Sequence, residues 1–527
     1  MATMAVPANK LRSGSASPAP HRQALRAGAV SVFTALAFAP AAADWRFEPT
    51  LNASAIYTDN VNQSATKPED AMILSATPGF TLRSRGLRRA QATLQYGLTG
   101  VARFGGDDSD DLYHNLNAAG KAELVEDFLF VDGSARVSQE LISLLGSPAD
   151  AETNNRNRAT VGTYSVSPYL QKRLGTFANA QARYTASGAI FENDVAANSN
   201  ANSFSAGLSS GTRFSDLSWG LNYSIRKAQN RSAVDTTFER ASATAGYALT
   251  RKFRVFGTLG QDWNDYLSTS GTSGSSYSAG FGWSPTRRTS VEASVGERYF
   301  GRTFSLAGSH RTRSSNWNLR YSEDVGDITQ QLLEESSKLF FVCETFPFLR
   351  PAADLAEPSP ASCWGPYTAG QIISRSNLPD PVLVALGLKN IGITKGVYII
   401  KSLTAGVSWN LGRFDFGLSA YDTKRLYQAL RDAQDHVQGV IGSVSYRLSP
   451  QTTANSSLSL SRNSLDSAVT GGAAREDGIL SFSLGLNHSF TDQLNGALVF
   501  RHTQRDSNAA NSDYDENRLT ATVGMRF

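Results

Sequence analysis

Several short stretches carry residue types that could do chemistry. "GLSSG" (207–211) has the spacing of a nucleophile elbow, in which a serine sits on a sharp turn between a strand and a helix. Here it lies between Phe204 and Phe214 in an alternating, strand-like run, so no nucleophile is expected. "NHS" (487–489) sets His488 beside Ser489. A nucleophile also needs a base within hydrogen-bond reach and a group that orients the base, and the sequence names neither. "FGGDDSDDLYHN" (104–115) gathers Asp107, Asp108, Asp110 and Asp111. Clustered carboxylates can hold a divalent cation, but this spacing is not that of an EF-hand loop, and a solvated loop is the simpler account. His114, His310, His436 and His502 are scattered without zinc-ligand spacing. The expectation is a protein that is not an enzyme, with no catalytic residue, no metal site and no cofactor.

What remains is a set of polar side chains at alternate positions. In "RAQATLQYGLTGVARF" (89–104), Ala90, Ala92, Leu94, Tyr96, Leu98 and Phe104 share one face, while Gln91, Thr93, Gln95, Thr99 and Arg103 share the other. The same period of two, the mark of a strand with one wet face, runs through 177–191, 217–227 and 479–490. Read this way, Gln91, Gln95, Arg103, Gln181, Arg183, Asn222, Arg226, Arg298, Arg320 and Arg501 are candidates for lining an aqueous interior. Arginines and amides there suit sugar hydroxyls and acidic sugar carboxylates.

The elements that position them follow from physical limits. Residues 1–43 carry Lys10, Arg12, Arg22 and Arg26, then an apolar run and Ala41-x-Ala43 before Asp44, which reads as a cleaved export signal. Removing those four cations from 50 leaves 46 basic against 46 acidic residues, so no nucleic-acid surface is expected. No later apolar run reaches the ~18 residues of a membrane-spanning helix. The apolar faces are long and regular, and suit hydrocarbon. Backbone groups in lipid need partners, so the sheet must close.

The expected fold for 44–527 is therefore all-β, a single large antiparallel transmembrane β-barrel in the outer membrane of a Gram-negative bacterium. Short turns such as "TRKF" (250–253) and "LGRF" (411–414) alternate with longer polar connections such as 57–70 and 143–158. Counting strands between them gives about 22, with 20 as the alternative and three short strands across 290–323. Pro49, Pro78 and Pro168 are expected near strand ends or bulges. Trp45, Tyr57, Phe104, Phe191, Phe214, Trp263, Trp283, Phe414 and Phe490 suit interfacial girdles. The chain ends on "RLTATVGMRF" (518–527), expected to pair with 45–57 and close the ring.

Residues 324–396 break the rhythm as one long external or inward-folded loop holding Cys343 and Cys363. In an exported protein these two are expected to form a disulfide. Closing ~20 residues would stabilise the loop by roughly 3 kcal/mol. "ITQQLLEESSKLFF" and "DPVLVALGLKNIG" each read as a short helix. A cylinder of about 22 strands is on the order of 40 Å wide, and barrels of that size are usually plugged. With strand one starting directly after the export signal, a plug, if there is one, is this loop folded inward; the alternative is an external cap or partner-binding lobe.

"DWRFEPTLNASAIYTDNVN" (44–62), "ATPGFTLRSRG" (76–86) and "GERYFGRTFSLAGSHRTRSSNWNLRYSEDV" (296–325) together resemble the outer-membrane proteins associated with PEP-CTERM/exosortase systems, related to those of exopolysaccharide clusters. The resemblance implies a polysaccharide context and no active site. Leu519, Ala521, Val523, Met525 and Phe527 resemble the signal that outer-membrane barrels present to their assembly machinery. The resulting expectation is a porin or conduit for exopolysaccharide export. Its expected partners are outer-membrane lipid, the barrel assembly machinery, exopolysaccharide and periplasmic export components. A closed barrel that anchors partners of such a system is the alternative, and an outer-membrane hydrolase ranks third.

Overall fold

The computed structural model describes residues 44–85, 89–105, 110–143, 152–153, 157–192, 198–230, 234–337, 339–343, 349–352, 363–368, 396–431, 433–470 and 472–527. The first strands are β1 (Asp44–Thr58), β2 (Ala71–Arg85), β3 (Ala90–Phe104), β4 (Asp110–Val125), β5 (Leu129–Leu141), β6 (Arg158–Leu174) and β7 (Ala178–Phe191). Then come β8 (Ser199–Ser210), β9 (Leu217–Asn230), β10 (Thr236–Thr250), β11 (Phe253–Trp263) and β12 (Ser273–Thr286). They are followed by β13 (Thr289–Arg298), β14 (Gly301–Arg311) and β15 (Ser315–Asp327), the three strands expected around 290–323. A helix α1 (Ile328–Ser337) and three short strands, β16 (Leu339–Cys343), β17 (Leu349–Ala352) and β18 (Cys363–Thr368), lie within the long insertion. The wall resumes with β19 (Val397–Leu411), β20 (Phe414–Tyr427), β21 (Gln434–Arg447), β22 (Thr452–Leu465), β23 (Arg475–Ser489), β24 (Leu494–Ser507) and β25 (Tyr514–Arg526).

The wall is one 22-stranded antiparallel sheet in which each strand pairs with its sequence neighbour and β15 pairs with β19 across the insertion. β25 returns to β1 in register, from Thr50 opposite Arg526 to Thr58 opposite Arg518, and this removes the last open edge. Closure leaves no unpaired strand edge facing lipid.

The two faces separate as the alternation requires. Leu51, Leu74, Leu221, Phe304, Leu458, Leu484 and Leu498 are exposed on the outside, as are Leu519, Val523, Met525 and Phe527 of the closing end. Thr58, Ser75, Arg103, Asp262, Arg425, Asp435, Asp477 and Arg518 are buried within the ring. An apolar exterior around a polar interior is the arrangement a bilayer selects, and the protein is an outer-membrane β-barrel. Short turns crowd one end, and the longer connections, including the insertion, lie at the other; these are the periplasmic and extracellular ends respectively.

Two expectations need correction. Pro78 and Pro168 sit in mid-strand instead of near strand ends. Each keeps a partner on one side, Leu51 and Val131, while the pairing on the other side skips it and the residue before it. A proline lacks the N–H for one ladder only, so an interior position is tolerated where that one ladder is interrupted. Phe191 is not a girdle aromatic: it is 2% exposed and joins an interior cluster. Its position on β7 gives it the inward parity of Ser187 and Ala189. Tyr57, Phe104, Trp263, Trp283, Phe414 and Phe490 are exposed at strand ends or turns.

The closing end invites a test. Deleting Phe527 removes the exposed aromatic that follows β25 and its single N–H bond to the Pro49 carbonyl, and leaves the pairs from Thr50–Arg526 to Thr58–Arg518 in place. Assembly in cells, read as the heat-modifiable folded form in membranes, is expected to fall several-fold, whereas refolding of the purified chain in detergent stays near normal. An equal loss in both would make Phe527 a stability residue instead of a recognition signal.

Candidate functional site

The interior is lined by hydroxyl pairs that face each other across neighbouring strands. Ser134 and Ser165 are 2.9 Å apart, Thr244 and Thr258 2.9 Å, Ser294 and Ser305 2.6 Å, and Ser457 and Ser483 2.6 Å. These small polar residues fall at the inward positions of their strands, where a side chain meets water or another hydroxyl.

Toward the extracellular end the lining becomes ionic. Arg103 pairs with Asp111, Arg298 with Asp262 at 2.9 Å and Asp324 at 3.0 Å, and Arg505 with Asp477. Arg425 donates to Asp435 at 2.9 Å, and Tyr427 donates to the same carboxylate at 2.5 Å. Burial makes the Arg298–Asp262, Arg425–Asp435 and Arg505–Asp477 pairs expensive to break, because the surviving charge has no water to turn to.

All ten sequence candidates fall on the inner face by strand register. Arg103, Arg183, Arg226 and Arg298 are held by carboxylates, Arg183 by Asp132 at 2.8 Å. Gln181, Asn222 and Arg320 are exposed on the inner wall. The side-chain oxygens of Gln91 and Gln95 are buried with no hydrogen-bond partner among the described residues. Arg501 stands opposite Ser483 and Arg518 in the ladders. The sequence reading missed the acidic partners, Asp132, Asp262, Asp327, Asp435 and Asp477, although their alternation was available. It also missed Arg425 and Arg505. Period two assigns a face but not a depth or a neighbour.

Two segments cross the interior. The first is α1, which begins where β15 ends. Asp327 caps it, accepting from the N–H of Gln330 at 2.8 Å, and Asp-x-x-Gln is the spacing of a capping box. Ile328 and Leu332, four residues apart on one helix face, pack against Val161 of β6 and Ala189 and Phe191 of β7. Ser199 of β8 lies 2.7 Å from the hydroxyl of Thr329. Asp327 itself takes two hydrogen bonds from Arg226 of β9, at 2.5 and 3.2 Å. Tyr398 of β19 donates to Gln331 at 2.6 Å. Strands β10 to β14 lie between β9 and β15 in the ring, so this helix, about 15 Å long, ties walls that sequence order keeps apart. Near it, Thr269 of the β11–β12 connection donates to the Gln428 carbonyl at 2.9 Å.

The second crossing comes from the β5–β6 connection. The Glu152 carboxylate accepts from Ser54 at 3.3 Å and Ser75 at 3.2 Å, and its carbonyl accepts from Arg103 at 2.9 Å. Thr153, 1% exposed, accepts from Arg518 of β25 at 3.1 Å. The connection thus reaches back to the wall formed by β25, β1, β2 and β3. Beside it, Ile56, Val61, Ala71, Ile73, Val101 and Tyr113 form an apolar cluster under the β1–β2 connection. Burying aliphatic side chains there, at about 1.5–3 kcal/mol each, fixes that corner of the mouth.

Of the two helices expected in the insertion, the first is α1, and the second, at 380–392, lies outside the described residues. β15 runs through Asp327, so the insertion proper is 328–396. Asp107 and Asp108 also lie outside the described residues, and Asp111 is spent on Arg103. Among the described residues no group of three or more His, Cys, Asp or Glu side chains is placed to hold a metal ion.

In the small sheet of the insertion, β16 pairs with β17 and β18, and Cys343 stands directly opposite Cys363. Residues opposed in an antiparallel pair have Cα atoms about 4.5–5.5 Å apart, which a disulfide can bridge. Maleimide labelling of the unfolded, unreduced protein is expected to find no free thiol, and two after reduction. Two thiols without reductant would refute the pairing.

No family model and no curated protein matches the chain. Among solved structures, the siderophore receptor PirA of Acinetobacter baumannii aligns over 92% of this chain and 80% of its own, at 8% identity and a TM-score of 0.47. The FrpB iron transporter of Neisseria meningitidis (F5-1 variant) aligns over 91% and 82%, at 11% identity and a TM-score of 0.49. OccK5 (OpdH) of Pseudomonas aeruginosa aligns over 91% and 98%, at 10% identity and a TM-score of 0.30. None of these likenesses bears on what this barrel carries.

Proposed function

We propose that the barrel is an outer-membrane conduit whose passage is governed by the insertion 328–396. Its cargo, on this reading, is an exopolysaccharide of the kind of PEP-CTERM/exosortase-associated system that the sequence resembles. The observation that carries the conduit reading is the placement of α1, a capped helix held across the extracellular mouth by one ion pair, two side-chain hydrogen bonds and a small apolar patch. A wall this polar has no need of a cross-strut for its own closure, whereas a regulated opening needs an element that can leave. The hydroxyl pairs and exposed Gln181, Asn222 and Arg320 suit a hydroxyl-rich polymer, because they can exchange hydrogen bonds with sugars as readily as with water.

The two internal crossings favour one other reading, a permanently closed barrel that anchors partners of the same system. Surface polymer, measured by lectin or antibody binding on intact cells, separates the two when the gene is deleted and then complemented. Loss of surface polymer with retention inside the envelope supports the conduit. Unchanged surface polymer refutes an export role.

A further inference from the structure

A second arginine cluster lies at the opposite, periplasmic end. Arg287 and Arg288 form the turn between β12 and β13, Arg311 ends β14, and Arg313 sits in the turn before β15. The N–H of Arg311 donates to the Arg288 carbonyl at 2.8 Å and ties the two turns together. With Ser290 and Ser309 these arginines line a cleft of about 710 Å³. Ser290 and Ser309 face each other at 2.8 Å on the same side of their strands as the inward Ser294–Ser305 pair. Trp283 at the foot of β12 is on the lipid side. The cleft therefore opens on the interior, at the periplasmic mouth.

Its electrostatics differ from those of the ionic lining toward the extracellular end. Arg103, Arg226, Arg298, Arg425 and Arg505 each hold a carboxylate. Arg287, Arg288, Arg311 and Arg313 hold none among the described residues, and neither 284–290 nor 309–315 contains an acid. Glu292, further along β13, is taken by Arg254. Arg251 and Lys252 in the turn between β10 and β11 add to the same field. Four like charges around one cleft repel each other, and a multivalent anion relieves that repulsion.

We propose that this cleft binds an acidic glycan, a polymer bearing carboxylates among hydroxyls, at the periplasmic entrance of the barrel. A guanidinium presents two parallel N–H donors that match a carboxylate. Ser290 and Ser309 supply hydroxyl partners beside them, and the Ser294–Ser305 pair continues the same surface inward. An acidic protein segment would use the arginines and leave these hydroxyls without a role. The cleft's binding stands on its own geometry; passage of the bound polymer rests on the conduit reading above.

The test uses the full mature barrel refolded in detergent, with fluorescein-labelled oligogalacturonate as probe and binding read by anisotropy. The variant R287Q/R288Q/R311Q/R313Q is expected to bind at least about tenfold more weakly, since charge-assisted bonds carry the affinity. Binding of the unaltered protein should fall as salt rises. Maltoheptaose should not compete, and polyglutamate should bind at least about tenfold more weakly than the acidic glycan. Heat-modifiable migration checks folding, and R287Q/R313Q, confined to turns, repeats the test with a smaller loss should the fourfold variant misfold. Unchanged binding in the folded variants, or polyglutamate binding tighter than oligogalacturonate, overturns the proposal. Planar-bilayer current separates this outcome from the conduit reading. A barrel that conducts but ignores oligogalacturonate refutes the cleft alone. A barrel that binds the glycan but stays silent with and without its insertion refutes the conduit alone.

Discussion

Replacing residues 328–396 with a short linker is expected to raise the single-channel conductance of the refolded barrel by about tenfold or more, because an unobstructed barrel of this strand number leaves an aqueous channel. The linker can be short, since β15 and β19 pair directly up to Asp327 and Val397. The replacement removes α1 with Ile328 and Leu332, and so detaches the far wall at Val161, Ala189 and Phe191. The wall itself keeps its ladders, so heat-modifiable migration should survive. The second crossing, through Glu152 and Thr153, remains in place and sets the residual restriction. Equal currents before and after replacement would mean that the insertion does not obstruct passage. Silence in both, with a folded barrel, would favour the anchoring reading.

Arg226→Ala is expected to act on the same opening without removing any chain. Arg226 and Asp327 are each 13% exposed at the side chain, and both Arg226 hydrogen bonds end on that carboxylate. Removing one partner of a buried pair costs about 3–5 kcal/mol, mostly the penalty of the charge left behind. Asp327 regains water only if the start of α1 moves away from β9. The loss therefore falls on the closed arrangement. A closed state weakened by about 3 kcal/mol shifts the open-to-closed ratio by roughly a hundredfold. Arg226→Lys keeps the charge but not the two-pronged geometry, and should fall between. The measurement is open probability in planar bilayers, with Asp327→Asn as the companion. That variant removes the charge but retains a capping side chain for Gln330, so it should cost less than Arg226→Ala. Unchanged gating in Arg226→Ala would show that the apolar patch and the Ser199–Thr329 and Tyr398–Gln331 bonds hold the helix without the ion pair.

Much of the architecture was legible without coordinates. The period of two in stretches such as 89–104 separates a lipid face from a wet face, and hydrocarbon permits only a closed sheet for such strands. That reasoning reached the 22-strand ring and the pairing of 518–527 with 45–57. It also placed the inward parity of Arg103, Arg183, Arg226 and Arg298. These properties are local: each strand's faces are written in its own residues, and neighbouring strands are neighbours in sequence.

The crossings were not legible, and the reason is physical. Phe191 reads as one more strand-end aromatic. Only the ring's closure brings it beneath Leu332, on a helix whose own strand is far around the wall. Asp327 stands just before a stretch that reads as a short helix, and nothing near it in sequence points to Arg226. Glu152 and Thr153 sit in a polar connection whose partners on β25, β1, β2 and β3 become close only when the barrel curves back on itself. That Arg287, Arg288, Arg311 and Arg313 hold no carboxylate among the described residues is likewise a matter of what two separate turns place around one cleft. By itself the sequence determined which side is wet in strands with clear alternation, such as 89–104 and 217–227, because alternation is a property of one segment. Only the tertiary structure decided which wet residues meet across the interior, because those meetings depend on the curvature and closure of the whole ring.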